Sequence, residues 1–221
     1  MSTFATPAPI SAVVAVPAGR LHLVAADRAD TTVEIVPADA SKSRDVKVAE
    51  QTTVEYRDGV LRVEASAKNQ YFGPSGTIDV TVHLPAGSRV EVKAASAELR
   101  TAGRLGDVVV ESDHGAITLD ETAGARLTTA AGDVSIARLT GPAEIRTRKG
   151  DIRVAEAVSG AVVLRTDAGD VEVGAAAGVS ASLDAGTSHG RIRNSLRNAG
   201  GTAQLAIHAS TSVGDITAHS L

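Results

Sequence analysis

Apolar and polar residues alternate along most of this chain, and the alternation restarts after glycine. In the second half the restarts line up as Gly115-Ala-Ile-Thr-Leu119, Gly132-Asp-Val-Ser-Ile136, Gly150-Asp-Ile-Arg-Val154 and Gly169-Asp-Val-Glu-Val173. Looser copies follow at Gly190-Arg-Ile-Arg-Asn194 and Gly214-Asp-Ile-Thr-Ala218. Successive glycines lie 17, 18, 19, 21 and 24 residues apart. A second series, Gly106, Gly124, Gly141, Gly160, Gly178 and Gly201, falls between them.

Alternation places every second side chain on one face of a strand. A longer fixed period around it is the mark of a solenoid, in which one unit cannot bury its inner face until the next stacks on it. The chain is therefore predicted to be all-β, a single-stranded β-solenoid (β-helix) of about six or more short coils. Its inner columns are Ile117, Val134, Ile152, Val171, Ile192 and Ile216, and beside them Leu119, Ile136, Val154 and Val173. Residues 132–149 divide into three hexads, GDVSIA, RLTGPA and EIRTRK, which predicts a three-sided coil.

The first half is less regular. Strands are predicted at Ile10–Val16, Arg20–Ala25, Thr32–Val36, Val46–Tyr56, Val60–Ala65, Thr77–Leu84 and Arg89–Lys93. Turn signals such as Arg57-Asp-Gly59 and Pro85-Ala-Gly87 separate them, and the Asp58-Gly59 pair reads as a tight hairpin. No helical periodicity is visible. The expected organisation is one continuous domain with a flexible arm over 1–9, an irregular β region or start of the solenoid over 10–88 that caps its amino end, and regular repeats over 89–221; Gly19-Arg-Leu-His-Leu23 resembles the repeat, which allows the coil to begin there.

A strand ending in Val16-Pro-Ala-Gly19, another ending in Leu84-Pro-Ala-Gly87, and the serial Gly-Asp-[Val/Ile]-x-[Val/Ile] units resemble the bacterial “putative adhesin” family. That is a domain-of-unknown-function family of β-solenoid repeat proteins, and the likeness runs from about 10 to 218. It implies a solenoid with no established catalytic residues.

Composition narrows the chemistry. The 221 residues carry no cysteine, which removes disulfides, thiolate metal sites and a cysteine nucleophile. Tryptophan is absent, and two Tyr and two Phe leave almost nothing on which bases or sugars stack. A net charge of −4 argues against nucleic acid as a partner. No apolar run reaches the length of a transmembrane helix and the start has no basic, apolar leader, so a cytoplasmic protein is expected.

The corner turns Gly132-Asp133, Gly150-Asp151, Gly169-Asp170 and Gly214-Asp215 form the most regular polar feature, interrupted by Ala116 and Arg191. A carboxylate ladder is one way to hold Ca²⁺, but aspartate also suits a turn because it bonds backbone amides. The second reading is preferred. Six scattered histidines show no metal-ligand spacing, and no cofactor is expected. Arg138, Arg146, Arg148, Lys149 and Arg153 form a basic cluster, with Arg146, Arg148 and Arg153 expected outward together. It is either a site for an anionic ligand or acidic partner, or a solvated face. Tyr71 and Phe72 concentrate half of the aromatics in one turn-rich loop, as a contact point or as a packing anchor.

The last unit stops three residues before the end, leaving strand edges to be covered by 195–212 folding back or buried against a second copy. These features point to a non-enzymatic structural or interaction module, scaffold-like, with a protein partner or itself as ligand through the carboxyl-terminal solenoid end. The alternatives are a carbohydrate-acting β-helix enzyme or an anion-binding module.

The register makes a prediction. Ile152→Asp places a charge among aliphatic neighbours and is expected to cost more than about 4 kcal/mol. Arg153→Asp should leave the fold intact. Thermal melting of the two variants checks this, and equal melting would shift the register by one residue.

Overall fold

A computed structural model describes residues 1–65, 76–197 and 202–221. The first half contains β1 (Ser2–Ala5), β2 (Ser11–Ala26), β3 (Asp30–Pro37), α1 (Ser43–Gln51), β4 (Thr52–Arg57), β5 (Val60–Ala65), β6 (Ile78–Pro85), β7 (Arg89–Ala102) and β8 (Arg104–His114). The second half contains β9 (Ile117–Ala131), β10 (Val134–Leu139), β11 (Ala143–Lys149), β12 (Ile152–Ala157), β13 (Gly160–Ala168), β14 (Val171–Ala175), β15 (Ala181–His189), β16 (Ile192–Ser195), β17 (Leu205–Val213) and β18 (Ile216–Ser220). Tyr71 and Phe72 lie outside the described residues.

Each coil is two strand segments meeting at a corner. The first segments stack as one parallel ladder: β5, the first part of β2, the first part of β7, β8, the second part of β9, β11, β13, β17 and β15. The second segments stack as another: β6, the rest of β2, the rest of β7, the start of β9, β10, β12, β14, β18 and β16. Nine layers result among the described residues. At a strand spacing of about 4.8 Å the stack is about 38 Å long.

The corners explain the glycine period. Gly132, Gly150, Gly169 and Gly214 have φ of +154°, +142°, +152° and +144°. A Cβ on any of them would fall on the carbonyl oxygen of the corner glycine in the neighbouring layer. The column thus needs glycine both for the backbone angle and for the space. The other turn does not add a third side. Ala137 and Arg138 both face outward, so Leu139 returns to the core after a kink in β10. The predicted three-sided coil is replaced by two strands, one of them bent.

The inner columns are as predicted except at Ile192, which is 45% exposed in the last layer, and both ladders contribute to one continuous core. Ile152 is 1% exposed and Ile136 and Val154 are fully buried. Their order in space differs from their order in sequence. β17–β18 lie between β13–β14 and β15–β16, so residues 181–195 form the outermost layer. Residues 205–213 are thus beneath the end and do not cover it. Two columns of the core narrow toward that end, while Val162–Ile207–Leu183 and Val171–Ile216–Ile192 beside them stay large. One inner column reads Leu127, Ile145, Leu164, Ala209, Ala185 and the next Ile136, Val154, Val173, Ala218, Asn194.

The amino end carries the same inversion. β2 lies between β5–β6 and β7, so 11–26, 60–65 and 78–85 already belong to the stacked coils: the solenoid starts within 10–88, and only part of that region is an irregular cap. The cap is antiparallel: β4 on β5, β3 on β6, and β1 on β3. Residues 2–5, expected in a flexible arm, form that edge strand, and the Thr6 and Thr31 hydroxyls hydrogen-bond at 2.8 Å. A strand was predicted from Val46, but 43–51 is helical. Asp45 and Val48, three apart, are its buried residues, and Asp45 accepts the Thr77 N–H at 2.9 Å. That contact across the chain outweighs the local alternation of Val46 and Val48.

Gly150→Ala is expected to destabilise by about 2 kcal/mol or more. Gly186→Ala, at a β15 position where an added Cβ meets nothing within 4 Å, should stay within about 0.5 kcal/mol of the parent. Denaturant titration of both variants measures the difference.

Candidate interaction surface

The aspartates after the corner glycines act between layers. The Asp151 N–H donates to Asp133 Oδ1 (2.9 Å), the Asp170 N–H to Asp151 Oδ1 (2.8 Å) and the Asp215 N–H to Asp170 Oδ1 (2.7 Å). The Arg191 N–H closes the series on Asp215 Oδ1 (2.9 Å). In sequence Arg191 interrupts the set, whereas in space it ends it. An aspartate there would have no further coil to accept from. The expected bonding to backbone amides is found, but to the amide of the next coil.

A second column was not recognised in the sequence. The Thr166, Thr211 and Thr187 hydroxyls donate to the carbonyls of Gly150 (3.1 Å), Gly169 (3.0 Å) and Gly214 (3.0 Å) in adjacent coils. Thr147 reaches Gly132 at 3.5 Å. Each threonine stands three residues before its own corner glycine, so T-x-x-G was the available signal.

The basic cluster divides. Arg138 forks onto both carboxylate oxygens of Glu156 at 2.8 Å, and Arg153 meets Glu172 at 3.2 Å. Arg146 meets Glu144 at 2.5 Å. Arg146 and Arg148 leave from β11, but Arg153 leaves from β12, across the Gly150 corner. The three expected together are therefore separated, and Arg165 takes the place of Arg153. Arg146, Arg148 and Arg165 line a shallow concavity of about 400 Å³ with Thr128, Asp113 and Asp167.

Elsewhere the outward faces match charge between coils: Lys93 with Glu111 (3.6 Å), Arg126 with Glu144 (3.7 Å), and Arg20 with Asp79. The hydrogen bonds that the Arg20 guanidinium donates to Asp79 hold it above its ordinary pKa. His208 Nδ1 lies 3.4 Å from Asp184 Oδ2. Among the described residues no three His, Asp or Glu side chains converge as a metal site, and no helix is long and apolar enough to cross a membrane.

Residues 19–220 match the Toastrack DUF4097 family, and the chain belongs to it. A comparison with curated proteins returns no significant match. The fold is shared with a solved “putative adhesin” of Bacteroides fragilis NCTC 9343, at 13% identity and a TM-score of 0.60, covering 98% of this chain and 95% of that one. A second, titled a putative adhesin, from Parabacteroides distasonis ATCC 8503, matches at 12% identity and a TM-score of 0.50, with the same coverage.

Asp151→Ala removes the acceptor of the Asp170 N–H and is expected to cost about 0.5–1.5 kcal/mol. Asp151→Asn keeps a carbonyl oxygen in place and should recover most of that loss. Thermal melting of the pair separates a backbone-bonding role from a purely ionic one.

Proposed function

We propose that this chain, as a Toastrack DUF4097 protein, is a rigid, non-enzymatic interaction module that holds another protein against the flat side of its solenoid. The observation that carries this reading is the register. Among the described residues nine coils stack without a slip in the ladder of first segments, so outward side chains recur at about 4.8 Å along the rod axis. A side face of that kind is preorganised, and little ordering entropy is lost when a partner docks. The enzymatic alternative draws no support from the corner aspartates, because Asp133, Asp151 and Asp170 are already engaged by backbone amides.

Self-association is a second reading, and the edge of β15 and β16 favours it. No other strand pairs with their outer side among the described residues, and Ile192 is 45% exposed there. An open edge invites another strand. Three features of this coil and the one beneath it favour the side face over the end. Arg191 terminates the aspartate ladder, Asn194 stands in an inner column, and in the layer beneath two of the core columns have narrowed to Ala209 and Ala218. A polar terminal repeat of this kind is how solenoids stop.

Crosslinking capture with the full chain tests the reading. Charge reversal at Arg146 and Arg165, on the first-segment face, should abolish capture that the same change at Arg153 leaves intact. Light scattering behind size exclusion should give a monomer over a wide concentration range. Capture insensitive to both sets of changes would reject the side face, and a concentration-dependent dimer would move the activity to the end.

A further inference from the structure

One charge placement departs from the pattern of the whole rod. Within the ladders of described residues, oppositely charged side chains face each other repeatedly, as in Arg126 with Glu144, Arg138 with Glu156, Arg153 with Glu172 and Lys93 with Glu111. Arg146 and Arg165 are the exception, directly opposed on adjacent parallel strands. Like charges in that position oppose sheet pairing. Arg146 is drawn aside to Glu144, while Arg165 forms no ion pair among the described residues. The corner aspartates are also stacked like charges, but each is held by a backbone amide of the next coil. Nothing equivalent holds Arg165.

The surroundings extend the arginine pair into a strip. In the column that contains them, Thr128 precedes Arg146 and Ser210 follows Arg165. Four successive layers therefore present only hydrogen-bond donors with positive charge at the centre, or hydroxyls that can donate. Their span is about 14 Å. Arg148 stands two residues along the same face of β11. Asp113 and Asp167 border the same concavity, and neither is ion-paired to these arginines. They set a limit on where an anion sits, which is over the Arg146–Arg165 column.

We infer that this strip binds an acidic segment of a partner protein, laid along the rod axis with a carboxylate between Arg146 and Arg165. The inference rests on the protein-binding reading above and names its chemistry. Two guanidinium groups on adjacent strands bracket one carboxylate through charge-assisted hydrogen bonds, and the hydroxyls of Thr128 and Ser210 serve its neighbours. A length of four layers on an open face fits an extended chain better than a lone small anion. The repulsion between the arginines is then a cost to stability carried for binding.

The test uses the full chain and a fluorescent oligoglutamate peptide, read by anisotropy at low ionic strength. Wild type should bind it, with affinity falling as salt rises. Arg165→Glu should weaken binding at least about tenfold, equivalent to about 1.4 kcal/mol. Arg153→Glu should leave binding unchanged. Arg165→Glu should also melt no lower than wild type, because it replaces a facing like pair by an opposite one. Absence of peptide binding, equal binding by Arg165→Glu, or a lowered melting temperature for that variant would overturn the inference. So would inorganic phosphate displacing the peptide as well as unlabelled peptide does, which would mark a simple anion site. Loss of the inference with face-selective capture intact would leave the protein-binding reading standing with a partner of other chemistry.

Discussion

The carbonyl of each corner glycine occupies the place where a Cβ of the next corner would stand. The rest of the molecule depends on that closeness. It lets the Gly150 N–H reach Ala168 O (2.9 Å) and the Gly132 N–H reach Lys149 O (2.9 Å), so the ladder continues around the bend. It also brings Asp133 within reach of the Asp151 amide, and Thr166 within reach of the Gly150 carbonyl. Corners are where a strand leaves the regular pairing of a sheet, and buried backbone groups there need partners. The Asp column supplies them from Asp133 to Asp215, and the Thr column adds bonds from Thr147, Thr166, Thr211 and Thr187 to the corner carbonyls.

Chain order and stacking order part company at both ends of the rod. β2 begins the coils but is the second layer, and β17–β18 finish them but are the eighth. Both sequence ends of the solenoid are therefore paired on two sides, while the outermost coils are held at both of their own termini. A linear repeat protein frays from its last unit, because that unit has one neighbour. Here the unit with one neighbour is tethered through its loops to the layers beneath. The narrowing of two core columns toward Ala185 and Asn194 fits a coil that has no further partner above it to fill.

Cross-layer charge matching is the second regularity. Parallel in-register stacking would bring identical repeats into contact with their own like charges, so each outward column has to vary from coil to coil. Arg138 meeting Glu121 on one side and Glu156 on the other is the plainest case. Individually such exposed pairs contribute little, at most about 1 kcal/mol. Their consistency gives the Arg146–Arg165 pair its meaning, since the same rod shows how easily it could have been avoided.

The sequence by itself determined the solenoid, the glycine corners and the inward columns, because period two and the longer glycine period are both local properties of the chain. Ile152, Val154 and Ile136 were identifiable as core for that reason. It could not determine which coil neighbours which, because every parallel coil offers the same backbone edge to any other. Choosing β17–β18 for the eighth layer depends on whether Asp215 has an amide to accept and whether small residues lie where the core narrows. For the same reason Arg191 read as an interruption and Arg165 was not grouped with Arg146. The helix over 43–51 was hidden because its anchor, Asp45 with the Thr77 amide, spans 32 residues of sequence. Local pattern fixes what each segment can become, and only tertiary stacking decides which segments meet and therefore where the charged surface lies.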